Sequence, residues 1–399
     1  MAMAELRVAL DIGSKKHHVG IGTGEGAVLE EFDITHDRDG FEKFFRRVSV
    51  HQSRCELPVV VAMEGLGGWA RPLDRMIQQR GYELLNVNNV KLARFKEIFA
   101  APAKTDKIDT RKILELMRMR DVLPLAKRVL HRVGVTPAEN EQLKRFTRRR
   151  RVLVEEKTRV SNRFGTDLQA VSPGLLEITG DVDNRWFLNF ISSREDVRKL
   201  AGMKRSSLLK IAGVGKTYAA KIEAWQSTAT FAAEAEWVSD MIVSDAERLL
   251  ELLDQIAKLD ARIEGVAETS QIATRVRTIT GFGPVCAATL AGEIGNLERF
   301  GSEASLALYT GMTRLDNSSG QYTGSKNTRQ VNTHARAAMM VGAARHINHT
   351  PQSKAYYDRK RSEGKSHNQA VRAFARHLIR VIWSMLVHDR NYVQKSVAT

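Results

Sequence analysis

Six apolar residues, Leu249, Leu252, Ile256, Leu259, Ile263 and Val266, recur at alternating steps of three and four, the spacing of a heptad seam. A long helix with so narrow an apolar stripe needs a second helix to cover it. The stretch from Thr136 to about Leu168 supplies a candidate, reading as one strongly basic helix with Arg148, Arg149, Arg150 and Arg151 in succession. Paired as a central coiled coil, the two helices divide the 399-residue chain into an N-terminal domain over 1–125, a helical region over 126–269 and a C-terminal domain over 270–399. The helical region carries an inserted segment at about 166–243.

Ahead of this pair, strand-like and helix-like stretches alternate. Leu6 to Gly13 reads as a buried strand, and a β-rich run with Val19, Gly20, Ile21 and Val28 follows across glycine-rich turns as a hairpin. Then come a helix around Phe41 to Val48, a strand Val59-Val60-Val61 ending at Glu64, a helix from Trp69 to Arg80, a strand Leu84 to Val87 and a helix beginning near Thr105. This alternation predicts an α/β layer with some parallel pairing. Behind the pair, from Thr269, the pattern is that of a compact helical domain ending in a basic helix with Arg372, Arg376 and Arg380, so the fold class is α/β plus all-α. Two Gly-x-Gly turns, at Gly213 to Gly215 and Gly281 to Gly283, stand between helical patterns and read as helix-hairpin-helix-like.

The balance of 62 basic against 46 acidic side chains leaves a formal charge of +16, which favours a polyanionic partner held through phosphate contacts. Cys55 and Cys286 are too few and too isolated for a cysteine zinc site or a disulfide framework. The first residues lack a signal-peptide profile and no stretch is apolar enough to span a membrane, so the expected setting is the cytoplasm, without a membrane partner.

Four acids suggest chemistry. Asp11 ends the first strand, Glu64 ends a later one, and Asp106 and Asp109 share a helix face at i and i+3. Such oxygen donors suit Mg2+, although acids in a helix's first turn also serve as caps and dipole partners. His17 and His18, adjacent on a strand, face opposite ways and read as solvated surface. Gly281 and Gly283 precede an Ala-rich helix, where glycine admits either a phosphate or a neighbouring helix. Gly213-Val214-Gly215-Lys216-Thr217 is not a nucleotide-binding loop, because Lys210 stands where that motif needs glycine. Asn317-Ser318-Ser319-Gly320 is a turn signature, followed by Lys326, Arg329, Arg336 and Arg345, which could hold a phosphate or form a solvated basic face.

Taken together, Asp11, Glu64 in AMEG, KTDKIDTRK, the GFGP turn and NSSG resemble the DEDD-type insertion-sequence transposases, also called bridge-RNA-guided serine recombinases. The resemblance covers roughly 6–120 and 270–346, with the two long helices matching the family's central coiled coil. It implies a RuvC-like, ribonuclease H-like domain whose Asp11, Glu64, Asp106 and Asp109 bind Mg2+, and a C-terminal transposase domain in which Ser319, rather than Ser318, is the nucleophile by motif position. Strand exchange would then pass through a phosphoserine link, with donor DNA, target DNA and an element-encoded guide RNA as partners. Active sites would be shared between subunits of a homo-oligomer, a dimer or tetramer. Phosphate-holding residues would include Arg148, Arg149, Arg150, Arg151, Gly281, Gly283, Lys326, Arg329 and Arg336. In one departure, Arg329 is followed by Gln330 where the family usually shows glycine.

Overall fold

Alternation along β1 (Leu6–Ile12) decides how the N-terminal sheet is layered. The computed structural model describes residues 4–64, 71–87, 92, 106–122, 130–328 and 331–394. It divides into two compact units, Met1–Thr136 with Asn296–Gly301, and Pro137–Gly295 with Ser302–Thr399. In the first unit, β1 is joined by β2 (Lys16–Thr23), β3 (Val28–Thr35), β4 (Val59–Glu64), β5 (Glu83–Val87) and β6 (Leu130–Arg132) in a sheet of order β3-β2-β1-β4-β5-β6. β1, β2 and β3 meander antiparallel, β4 runs parallel to β1 and β5 parallel to β4, and β6 closes the edge antiparallel. The α/β layer and its parallel pairing are therefore as expected. The β-rich run after β1 is two strands rather than part of one hairpin, and the three-residue β6 has no sequence signal of its own.

Leu6, Val8 and Leu10 of β1 and Val59, Val61 and Met63 of β4 face α1 (Arg38–Cys55) and α2 (Arg71–Gln79), which contribute Phe41, Phe44, Phe45, Val48, Leu73 and Ile77 to one core. Ala9, Val60 and Ala62 face the other way, against Ile113, Leu114, Leu116 and Met117 of α3 (Asp106–Val122). Gly20, Ala9 and Ala62 are neighbours across β2, β1 and β4, a row of small side chains on the face that α3 covers. A Cβ at Gly20 would lie 3.4 Å from both Thr110 Cβ and Leu114 Cδ1. The other end of α3 is tied down by Arg120, which donates to the buried Glu5 carboxylate at 2.6 Å, beside Arg7 at 2.9 Å.

In the second unit, α4 (Ala138–Val171) carries the arginine run. The inserted segment forms a small helical cluster with α5 (Arg185–Ile191) and α6 (Lys216–Gln226), centred on buried Phe164, Trp186, Phe187, Phe190 and Trp225. The heptad residues lie on α7 (Ala235–Ala267), which packs along α4. Ion pairs Arg150–Asp260, Arg248–Glu156 and Arg163–Asp245 run in opposite senses along the two chains, so the helices are antiparallel. Leu249, Leu252, Leu259 and Ile263 are buried, and Ile256 and Val266 half-buried.

Beyond them lie α8 (Gln271–Arg277), α9 (Pro284–Ile294), α10 (Glu303–Tyr309), α11 (Thr333–His349), α12 (Pro351–Ser362) and α13 (His367–Val387). This part is not wholly helical: β7 (Arg314–Asp316) and β8 (Ser325–Asn327) form a hairpin between α10 and α11. No helix among the described residues is long and apolar enough to cross a membrane.

The GFGP turn joins α8 to α9. Gly281 has φ +91°, and a Cβ there would stand 2.5 Å from His346 N and 2.8 Å from Gly342 O, so its bare Cα admits the backbone of α11 rather than a phosphate. Gly281→Ala, strained in both backbone and packing, is expected to lower unfolding stability by about 2–4 kcal/mol, measured as a lower urea midpoint.

Candidate active site

The parallel register sets Leu10 opposite Met63, which brings Asp11 and Glu64 to the same end of adjacent strands. By alternation both lie on the face carrying Ala9 and Ala62, the face covered by α3. Leu114 reaches the glycines that pair with Ala9 and Arg7, and Arg120 reaches Glu5, so α3 runs antiparallel to β1. Asp109 stands five residues nearer the start of α3 than Leu114. Five helical residues rise about 7.5 Å and a strand advances about 3.3 Å per residue, which sets Asp109 level with the last residues of β1. Asp109 is 6% exposed, one turn before Ile113 on the face packed against the sheet.

Register and helix rise thus put three of the four predicted acids, Asp11, Glu64 and Asp109, toward one end of one face. The side chain of Asp106, and AMEG beyond Glu64, lie outside the described residues. Among the described residues no group of three or more His, Cys, Asp or Glu side chains is close enough to hold a metal ion. In kind the donors suit a hard divalent cation: carboxylates from two strand ends and a buried helix position.

The adjacent histidines do face opposite ways, but neither is solvated. His17 is fully buried, bonded to His36 at 2.9 Å and stacked on Phe41, and burial followed by the charge of His36 lowers its pKa. The His18 side chain is 12% exposed and pairs through Nδ1 with Asp33 Oδ1 at 2.5 Å. Bonds from His18 and then Lys16 hold the Asp33 carboxyl below its ordinary range.

Ser319 sits at the hairpin tip. Its N–H and C=O exchange bonds of 3.0 Å with Tyr322 around Gly320, which adopts φ +56°, so NSSG is the turn its composition signals. Ser318, Ser319 and Lys326 are all exposed. Lys326 stands opposite Leu315 in the ladder, and Arg329 lies outside the described residues. Exposed Arg336, in the first turn of α11, packs its stem near Gly311, while Arg345 reaches the vicinity of Gly283.

Two family models match. Residues 8–173 fit the transposase model for the DEDD domain of IS110 elements, and residues 273–358 fit the one described as the transposase IS116/IS110/IS902 family, together more than half of the chain. The chain belongs to the IS110/IS116 family of insertion-sequence transposases. Its relatives include the uncharacterized 42 kDa protein of insertion element IS900 from Mycobacterium paratuberculosis, 28% identical with 94% of each chain covered. The uncharacterized 43.6 kDa protein of IS110 from Streptomyces coelicolor is 26% identical, with 95% of this chain and 93% of the relative covered. The mini-circle putative transposase for IS117, from the same organism, is 24% identical over 95% and 92%. Transposases of this family act on DNA, and the DEDD domain together with the mixed sheet fits a ribonuclease H-like fold.

For a DNA-acting chain, the arginine run is unexpectedly occupied. Arg148 grips Glu293 of α9 with two bonds of 2.6 and 2.9 Å, Arg150 pairs with Asp260, and Arg151 pairs with Glu155. Only Arg149 of the four projects outward without an ion pair among the described residues. Glu293 is fully buried and also accepts from Asn332 at 2.7 Å, while Asn332 caps α11 and bonds Tyr309 Oη at 2.6 Å. Burial pushes the Glu293 carboxyl up, but the Arg148 and Asn332 bonds outweigh it and leave the pKa lowered.

A second basic cluster lies on α12 and α13, where only the run of arginines on α13 was legible. Tyr356 carries Arg359 at 5.1 Å and Lys360 at 5.5 Å from its ring centre and bonds His377 at 3.0 Å. Burial, then Arg380, Arg376, Lys360 and Arg359, keep His377 below its ordinary pKa. Cations interleaved with an aromatic ring form a surface suited to a phosphate backbone.

Proposed function

We propose that the chain moves its own insertion element by cutting and exchanging DNA strands, with Asp11, Glu64, Asp106 and Asp109 holding Mg2+ and Ser319 supplying the nucleophile. The observation that supports this reading is the placement of Asp11, Glu64 and buried Asp109 on one face toward one end of the sheet. Bound Mg2+ would stabilise the charge on the attacking and leaving oxygens of phosphoryl transfer. The acids of one subunit orient the scissile phosphate that Ser319 of another subunit attacks. Ser319 Oγ gives up its proton and bonds to phosphorus, and a deoxyribose oxygen leaves and takes a proton. A hydroxyl of the partner DNA then attacks the phosphoserine, restoring the serine and completing the exchange. Exposed Lys326, Arg336 and Arg149, together with Arg329, steady phosphates around this step. A guide RNA encoded by the element pairs with donor and target DNA, and subunits of a homo-oligomer share the work; the charge of +16 is in keeping with this polyanion load.

The test is to incubate the chain with its locus-encoded RNA, magnesium and both DNAs and look for a protease-sensitive DNA adduct. Ser319→Ala is expected to abolish the adduct and leave DNA affinity unchanged. A second reading, a metal-dependent nuclease in which water attacks, is favoured by the match of residues 8–173 to the DEDD domain. It predicts free DNA ends that persist in Ser319→Ala.

A further inference from the structure

We propose that α12 and α13 form a docking surface for duplex DNA, on which exposed Arg359, His377 and Arg380 meet phosphates of its backbone. Composition sets this pair of helices apart. From His367 to Val387, α13 carries no acid, and α12 carries only Asp358, which is paired with Lys354. Two further acids reach the pair and both are taken, Glu363 by Lys360 and Lys365, and Glu303 of α10 by Arg376. Arg359 and Arg380 have no ion pair among the described residues, so their charge is left facing solvent.

Tyr356 gathers these groups. Its hydroxyl bonds His377 Nε2 at 3.0 Å, and Arg359 and Lys360 stand over its ring. Engaged through Nε2, the imidazole leaves Nδ1 for a phosphate oxygen. Partial burial and then the positive charges of Arg380, Arg376, Lys360 and Arg359 hold its pKa below the ordinary value. A phosphate reverses that local balance, so docking raises the pKa and His377 takes up a proton. The occupant is a duplex because Tyr356 has no ring face to give an unpaired base: besides the two cations, His377 packs T-shaped against it at 5.0 Å and Phe374 lies at 6.0 Å. Unpaired strands are held by stacking as well as charge, whereas a duplex turns its phosphates outward. DNA is the polyanion on which transposases of this family act.

Fluorescence anisotropy of the full chain with a labelled duplex of arbitrary sequence, in EDTA and without RNA, tests this independently of strand exchange. Arg359→Gln and Arg380→Gln are each expected to weaken duplex binding several-fold and to lower the slope of log affinity against log salt by about one. As pH falls from 8 to 5.5, wild type should gain about ten-fold more affinity than His377→Gln, the effect of a phosphate that raises the pKa by about one unit. At pH 8, where the imidazole is neutral, the two should agree within about two-fold. All three side chains are exposed, so each variant keeps the wild-type urea midpoint. An unchanged salt slope in both arginine variants would overturn the docking surface, and equal pH dependence in wild type and His377→Gln would overturn the role of His377. A single strand of DNA or RNA whose binding depends on these arginines more than the duplex's does would overturn the duplex as occupant.

Discussion

Asp11→Asn is expected to leave DNA affinity within about two-fold of wild type and to reduce strand exchange by roughly a thousand-fold or more, about 4 kcal/mol of lost transition-state stabilisation. The substitution is nearly isosteric, and the pairing of β1 with β2 and β4 is made by backbone groups, so the sheet keeps its register. What changes is one negative oxygen at the strand end to which the proposed function assigns the metal. Binding and turnover separate because affinity for a duplex is carried by cations spread over the chain, whereas the reacting phosphate depends on a few oxygens. Electrophoretic mobility shift and a strand-exchange assay on the same preparation read the two quantities. A variant that exchanges strands normally would make the three acids structural and the protein a binder rather than an enzyme at this site.

The second large effect concerns folding. Arg148→Met would take from the fully buried Glu293 carboxylate its two guanidinium bonds and leave the Asn332 bond in place, at a cost of about 3 kcal/mol. The lower end of the usual range applies because the Arg148 side chain is 44% exposed and partly screened by water. In wild type the folded pKa of Glu293 lies below its ordinary 4.5, so this ion pair contributes fully above about pH 4.5 and fades as pH falls through the depressed folded value. In the variant, burial is opposed by the Asn332 bond and the charge of Lys144 but no longer by Arg148, so the folded pKa rises relative to wild type and the stability that the ion pair contributed at higher pH is absent. The difference between wild type and Arg148→Met in urea midpoints should therefore be larger at pH 7 than at pH 4. An equal difference at both would identify lost packing, not charge, as the cause.

The strand-end acids were legible because β-branched runs ending in a lone carboxylate carry their own signal. Legibility stopped wherever a partner came from far along the chain. Arg148 and Arg150 look like a phosphate-binding run, yet their carboxylates are Glu293 and Asp260, 145 and 110 residues away. His18 looked solvated because nothing local announces that β3 sets Asp33 opposite it or that α3 roofs that face. The hairpin of β7 and β8 escaped because its short, polar strands show no alternation. Gly281 could have served a phosphate or a helix, and only the path of α11 decides between them.

The row of Gly20, Ala9 and Ala62 has a consequence for ion size. Mg2+ asks for oxygens at about 2.0–2.1 Å and Ca2+ for about 2.3–2.6 Å, a difference smaller than one methyl group. Asp109 rides on α3, Asp11 and Glu64 on the sheet beneath, and the gap between them is set by side chains that are absent or a single carbon long. If Asp11, Glu64 and Asp109 hold a cation as proposed, the span between its ligands would follow from this packing. A methyl added at Gly20 would meet Thr110 and Leu114 at 3.4 Å, ordinary van der Waals contact, so one more carbon fits there and the helix keeps its height above the sheet.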